Sequence, residues 1–403
     1  MTVGQADTSA ATQQQTLARS RWALMAGNFA IGCGVMVAAG SLNDLVRSLN
    51  VSVAVAGQLI TVAAVVMALG APLVAALVGR ADRRLLLTIA LLWYAAGHAL
   101  AALMPNFATL LPVRALSVLG AAVFTPQAAA AINLLAPPGE RGRAITFIFL
   151  GWSLASVLGM PLHSFIGETW GWRWAFALVA LLSLAAALAV WRTLPGGLRA
   201  APLSWQNWRT ALTHPLLIGV VGVTALSAAG QFTLFSYFAP YYSQVLGANA
   251  LELSLLFLWF GAFGLAGNVL LGRYIDRYGP ARCVTWMLGF IAVTLCLWPL
   301  ATTLPWMAVV LVPWALGCFS SNSAQQARLG AAAPALATAM MALNTSAMYL
   351  GQAVGAAGGG ALLTAYGYAG LNWAALAWVL LAIALSIWLM RQLTPANLTE
   401  SHA

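Results

Sequence analysis

Twelve apolar stretches run along this chain, and its basic residues crowd into every second gap between them. All 18 are arginine, and fifteen of them, counting those at the termini, fall on one side of the alternation. That side collects Arg19 and Arg21; Arg80, Arg83 and Arg84; Arg141 and Arg143; Arg192, Arg199 and Arg209; Arg273, Arg277 and Arg282; Arg328; and Arg391. The other side has Arg47 and Arg173, and Arg114 alone lies inside an apolar run. An apolar stretch of about 20 residues crosses the hydrocarbon core, and loops rich in Arg and Lys stay cytoplasmic. The alternation therefore predicts an all-α polytopic membrane protein with twelve transmembrane helices and both termini in the cytoplasm.

Composition excludes a soluble domain. Hydrophobic residues make up 62% and charged residues 6% of the chain, against a charged share of about 25% in soluble domains. The spans are expected near 22–45, 53–77, 85–104, 107–134, 144–166, 174–194, 216–241, 251–271, 283–303, 306–326, 337–363 and 370–390. The net charge of +10 then reads as topogenic bias and contact with the lipid bilayer, not as a nucleic-acid footprint. Cys33, Cys283, Cys296 and Cys318 all fall within spans, which implies no disulfide framework.

The longest polar interruption, Arg192 to His214, carries Pro195-Gly196-Gly197 and then Trp205, Trp208 and Arg209. It divides the chain into a disordered cytoplasmic tail at 1–20, a six-helix bundle at 21–194, a linker at 195–214, a second six-helix bundle at 215–391 and a cytoplasmic tail at 392–403. Part of the linker suits an amphipathic helix on the membrane surface. The halves echo one another: Gly79-Arg80-Ala81-Asp82-Arg83-Arg84 follows the second span, and Gly272-Arg273-Tyr274-Ile275-Asp276-Arg277-Tyr278-Gly279 follows the eighth. Parallel repeats of this kind are a transporter plan with a binding site at the midplane between halves.

Gly272, Asp276, Arg277 and Gly279 fit a Gly-x-x-x-Asp-Arg-x-Gly signature, and Leu116 to Pro126 with Arg114 is similar to the fourth-span motif of proton-linked exporters. Gly171 to Phe176, Gln325 to Arg328 and Asn344 to Gly360 are similar to segments of drug and sugar efflux proteins. Over residues 20–391 the chain thus resembles the major facilitator superfamily, in its twelve-span efflux branch near bacterial arabinose- and sugar-efflux-like exporters. The resemblance implies two pseudo-symmetric bundles, a monomer in the bacterial inner membrane, a small-molecule substrate and a proton gradient as the energy source. It also implies that Arg80, Asp82, Arg83, Gly272, Asp276, Arg277 and Gly279 gate the cytoplasmic side. The chain departs from the pattern in three places. Glycine replaces the first acid of the first-half loop, with Asp82 where a glycine is expected. Met160 separates Gly159 from Pro161, and the stretch Ile31 to Met36 has no acid.

An ionisable group in lipid is a functional-site hypothesis, yet none of the eight acids sits near the centre of a span. Asp44, at the outer end of the first span, is either an interfacial acid paired with Arg47 or a group that protonates from outside. His98 and His163 are the remaining proton-coupling candidates, since imidazole changes charge between about pH 5 and 8; each is otherwise a neutral packing residue. Arg114 lies too deep for easy snorkelling and needs partners. Helical spacing puts Asn28 and Gly32 on one face of the first span, Arg114 and Thr125 on the fourth, and Gln231, Phe235 and Phe238 on the seventh. It puts Trp314, Ser321, Asn322 and Gln325 on the tenth, with Asn344 on the eleventh. In the implied fold these line a central cavity, although amide side chains also serve simply to join helices. Gly351, Gly355, Gly358, Gly359 and Gly360 suit close helix approach.

Neither a nucleotide-binding glycine loop nor a metal-spaced cluster nor a nucleophile–base pair is present in the sequence, so no enzymatic activity and no cofactor are expected. The reading is a secondary active exporter working by alternating access. The alternatives are an uncoupled facilitator or importer and, in another class, a non-transporting sensor or assembly partner.

Overall fold

The computed structural model describes residues 3–78, 81–137, 140–199, 205–333 and 336–392. Every regular element among them is helical: α1 (Val3–Gly40), α2 (Leu42–Leu49), α3 (Val53–Leu77), α4 (Arg83–Ala102), α5 (Phe107–Ser117), α6 (Leu119–Leu135), α7 (Arg141–Leu154), α8 (Met160–Thr169), α9 (Trp172–Thr193), α10 (Trp205–Thr213), α11 (Pro215–Phe235), α12 (Phe238–Gln244), α13 (Ala250–Tyr278), α14 (Pro280–Leu297), α15 (Leu304–Ala332), α16 (Ala337–Tyr366) and α17 (Leu371–Gln392). Eleven segments are long and apolar enough to cross a membrane. The twelfth is α16, 30 residues long, whose glycines and polar residues dilute its hydropathy; it packs between α11 and α3.

Breaks within spans have local causes. Helix α1 stops at Gly40, and Ser41 (φ −98°, ψ 17°) starts the separate helix α2. Asp44 therefore stands in a short helix of its own and not at the end of a continuous first span, a correction to the expected 22–45 segment. In the fifth span a π-helical turn, Ala155–Gly159, joins α7 to α8. Pro161 cannot donate to the carbonyl four residues back, and such a bulge absorbs the mismatch. In α15 the Thr294 hydroxyl enters the helix ladder after Pro313, accepting from the Trp314 N–H at 3.0 Å and donating to the Val310 carbonyl at 2.7 Å, which fixes Trp314. At the N-terminus α1 begins at Val3, within the stretch expected as a cytoplasmic tail. Ala and Gln are good helix formers there and propagate the span outward. Within the linker α10 forms as a helix, while residues 200–204 and the tail after 392 lie outside the described residues.

Helices α1–α9 and α11–α17 make two bundles that meet along α3 with α16 and along α8 with α13. The approach is close where α13 crosses the π-turn: a Cβ on Gly261 would fall 2.6 Å from the Cα of Val157. At the end opposite the arginines the bundles are sealed together. Asn43 Nδ2 donates to the Ala239 carbonyl at 3.3 Å and to Ser243 Oγ at 2.7 Å. Tyr237 packs with Leu42 and Ala56 of the first bundle and Leu363 of the second. Its hydroxyl would lie 2.6 Å from a Cβ on Gly57 and 2.7 Å from one on Gly360.

Candidate functional site

The predicted cavity residues form two hydrogen-bonded knots, one in each bundle. In the first, Asn28 of α1 donates to the Ile148 carbonyl at 3.0 Å. Its Oδ1 accepts from Thr125 Oγ1 of α6 at 3.0 Å, and Trp152 Nε1 of α7 reaches Thr125 at 3.4 Å. In the second, Thr224 of α11 donates to Asn344 Oδ1 of α16 at 2.5 Å, and Asn344 Nδ2 reaches Asn322 Oδ1 of α15 at 3.4 Å. Thr125 and Asn322 each stand eighteen residues beyond the first residue of their spans, Phe107 and Leu304, so the knots occupy equivalent places in the repeat. Of the proposed cavity residues, Thr125, Phe235 and Asn322 are half-buried and the others buried.

The rest of that set divides by what each residue touches. Gly32 gives α1 its approach to Ala155 and Trp152. Gln231 bonds Ser227 Oγ at 3.1 Å and receives Trp314 Nε1 at 3.4 Å. Ser321 returns its hydroxyl to the Cys318 carbonyl at 3.0 Å, and Gln325 donates to the Val220 carbonyl. Phe235, Phe238 and Trp314 belong to an aromatic cluster with Phe260, Trp298 and Tyr242. Trp152 and Thr224 were missed at the sequence level. A small polar residue in an apolar span was the available signal for Thr224; nothing distinguished Trp152 from the other tryptophans.

Arg114 is fully buried. It lies in the last turn of α5, where the helix C-terminus favours a cation. Its Nη1 meets His98 Nε2 at 3.0 Å and its Nη2 donates to the Val35 carbonyl at 3.3 Å. His98 Nδ1 lies 2.8 Å from the Tyr94 carbonyl. A carbonyl only accepts and a guanidinium only donates, so His98 must be neutral with its proton on Nδ1. Tyr94 in turn donates to the Ile31 carbonyl at 3.1 Å. Arg114 thus ties the fourth span to the first and third through neutral partners.

The other two proton-coupling candidates differ sharply. Asp44 Oδ2 accepts from the Trp172 N–H at 2.7 Å, capping α9, while Arg47 stands 3.7 Å from its Oδ1 and 2.6 Å from Glu168. His163 is fully buried, and neither ring nitrogen has a well-formed hydrogen bond, with only a weak approach to the Cys33 backbone. For Asp44 the two roles can be separated, because Asn caps a helix as well as Asp does. Asp44→Asn should leave thermal stability nearly unchanged, whereas Asp44→Ala should lose about 1 kcal/mol, read by unfolding in detergent. Gradient-driven transport abolished in the Asn variant, with its stability intact, would make Asp44 the proton carrier.

The two arginine-rich loops are not equivalent. Asp82 is the N-cap of α4, accepting from the Leu85 N–H at 3.1 Å and from the Gly197 N–H of the linker. Burial pushes its carboxyl up, but the Leu85, Gly197 and Arg84 N–H groups and the Arg199 guanidinium together hold it below the ordinary value. In the second half Gly279 (φ +80°) is the N-cap of α14. Both residues accept through their backbone carbonyls, from Leu86 and Cys283, and the displaced aspartate adds a side-chain cap that Gly279 lacks. Arg83 is buried and donates to the Val78 carbonyl at 3.1 Å. Asp276 and Arg277 are exposed, with Arg277 5.3 Å from the Tyr278 ring centre; a Cβ on Gly272 would meet open space. Arg80 lies outside the described residues.

Comparison with known proteins follows the same lines. The family model described as Major Facilitator Superfamily matches residues 24–339 and 220–402. The chain is 29% identical over 364 residues to "Uncharacterized MFS-type transporter YbcL" of Bacillus subtilis, covering 89% of this chain and 93% of the relative. It is 27% identical over 396 residues to a "Probable sugar efflux transporter" of Pasteurella multocida, covering 97% and 98%. Among solved structures, a bacterial homologue of the human lysosomal transporter Spinster, inward-facing and occupied, superposes with a TM-score of 0.73 at 18% identity, over 92% of this chain and 96% of that one.

Proposed function

The chain belongs to the Major Facilitator Superfamily, and on that footing we propose that it is a proton-coupled exporter of a small, neutral, hydroxylated or amphiphilic molecule. The observation that carries this reading is the pair of neutral polar knots, Asn28–Thr125–Trp152 and Thr224–Asn344–Asn322, at matching places in the two bundles. Amides, hydroxyls and an indole N–H recognise hydroxyl groups by hydrogen bonds and offer no fixed charge to a dication. Asn322 is half-buried, and its amide N–H₂ is not used in the knot. The relative named a probable sugar efflux transporter agrees with export of such a cargo. Topogenic arginines favour the bacterial inner membrane, with the arginine-rich end in the cytoplasm. With Asn43 and Tyr237 sealing the other end, the form described here is then closed to the outside.

For the proton, His163 is the candidate best placed by geometry. Asp44 is occupied as a helix cap, and His98 is held neutral as an acceptor for Arg114. Protonation of a buried imidazole with only a weak backbone contact demands a new acceptor or water, which a change of conformation supplies. His163→Gln should therefore keep substrate exchange between equilibrated compartments but lose accumulation driven by a pH gradient. Normal gradient-driven transport in that variant would remove His163 from the mechanism.

The primary test is reconstitution of the purified protein in liposomes with a trapped pH dye, screened against sugars, antibiotics and anionic metabolites. Proton movement triggered by a neutral hydroxylated class supports the proposal. Flux of labelled substrate without proton movement favours the second reading, an uncoupled facilitator, which the lack of acids at the span centres supports.

A further inference from the structure

A groove of about 370 Å³ runs between α4 and α9 on the outer wall of the first bundle, lined by Leu85, Thr88, Ile89 and Leu92 of α4 and, across from them, by Leu184, Ala187, Leu188 and Trp191 of α9. Its residues change character with depth. At the arginine-rich mouth, the Arg84 guanidinium lies 4.2 Å from the ring centre of Trp191, which lines the groove. Arg84 Nε is buried and makes no hydrogen bond. Arg192, next in the chain after Trp191, is exposed, and so is Arg199, whose guanidinium acts on Asp82. The acid nearby, Asp82, already accepts from Leu85 and Gly197, and Arg83 is turned inward onto the Val78 carbonyl. One turn deeper, about 6 Å along the helix, is Thr88, 7% exposed, whose hydroxyl has no hydrogen-bond partner. A helical Thr switches readily between two rotamers, so that hydroxyl can serve a ligand in the groove. Beyond it the walls are apolar: Ile89, Leu92, Leu184 and Leu188.

We propose that this groove is a binding site for an anionic glycerophospholipid. The order of groups matches the molecule: cations over an aromatic ring for the phosphate, an unpaired hydroxyl for the ester carbonyl, and an aliphatic channel for the acyl chain. An apolar chain alone would leave Thr88 unpaired, and a zwitterionic headgroup would bring its own ammonium to a mouth already rich in guanidinium. The inference is independent of the cargo and of the direction of transport.

The test uses the full chain in detergent, with bound lipid read by native mass spectrometry. Phosphatidylglycerol and phosphatidylcholine with identical acyl chains compete at equal concentration, and diester phosphatidylglycerol competes separately with its diether counterpart. The wild type is expected to retain phosphatidylglycerol over phosphatidylcholine, and Arg84→Gln to lower that preference about fivefold, the worth of one basic residue at an anionic headgroup. Thr88→Val, nearly isosteric, should lower the preference for diester over diether about fivefold, the worth of one hydrogen bond, and leave the headgroup preference alone. Melting temperature checks that each variant is folded; should Arg84→Gln fail, Trp191→Leu removes the ring beneath the guanidinium and carries the same expectation. Equal retention of the two headgroups by the wild type, or preferences unchanged in the variants, overturns the proposal.

Discussion

Arg114→Ala should abolish transport and lower the free energy of unfolding by roughly 3 kcal/mol, while the protein still inserts. The magnitude follows from what the side chain holds. Removing the guanidinium strands His98 Nε2, which now accepts from it at 3.0 Å, and takes the second donor from the Val35 carbonyl, 3.3 Å away, which keeps its bond within α1. An orphaned buried acceptor costs about 1–3 kcal/mol, and the emptied volume adds a cavity term. Loss of the cation's own desolvation penalty offsets part of this. Transport should fail for a second reason, because Arg114 joins the first, third and fourth spans, and these must move as one body if the bundles are to rock. Arg114→Lys should recover little: an ammonium lacks the planar fork that reaches both acceptors together. Unfolding in mixed micelles, with reconstituted flux measured alongside, checks both parts. A destabilised variant that transports normally would reduce Arg114 to a packing residue.

The glycines of α16 give the second large effect, with a control built into the same helix. A Cβ on Gly351, Gly355 or Gly359 would lie 2.1 Å from the Ala225 carbonyl, 2.3 Å from the Ala229 carbonyl or 2.3 Å from the Thr233 carbonyl of α11. These are backbone atoms and cannot swing aside, so the helices must separate. Gly355→Ala should cost about 2 kcal/mol, within the range for an overpacked interior, and Gly355→Leu should prevent assembly of the second bundle. Gly358, one helical step away, meets nothing within 4 Å. Gly358→Ala should be neutral or slightly stabilising, because alanine is the better helix former by about 1 kcal/mol. Yield of monodisperse protein and its melting temperature distinguish these outcomes. Equal behaviour of Gly355→Ala and Gly358→Ala would refute the packing assignment.

Most of the membrane plan was legible in sequence because hydropathy and the arginine alternation act over whole spans and tolerate local error. The second-half signature at Gly272 to Gly279 was legible for a related reason, being a contiguous string. Individual side chains were harder. Helical spacing assigned Asn28 and Thr125 to faces of their own spans, but it could not say that they bond to each other, since that depends on how two helices cross. Trp152 and Thr224 were missed for the same reason. Asp44 shows the limit most clearly: its sequence neighbour Arg47 suggested an interfacial pair, and the structure adds the Trp172 N–H, 128 residues away, at the start of another span.

The amino-acid sequence by itself determined that this chain crosses the membrane twelve times in two echoing halves, because the cost of placing charge and unpaired backbone in hydrocarbon leaves few alternatives. Only the tertiary structure decided which glycines are contacts, that His98 is neutral while His163 has only a weak approach to the Cys33 backbone, and that Asp82 caps a helix in place of the expected glycine. Those outcomes rest on distances of a few ångström between residues far apart in the chain, and local pattern carries no record of such distances.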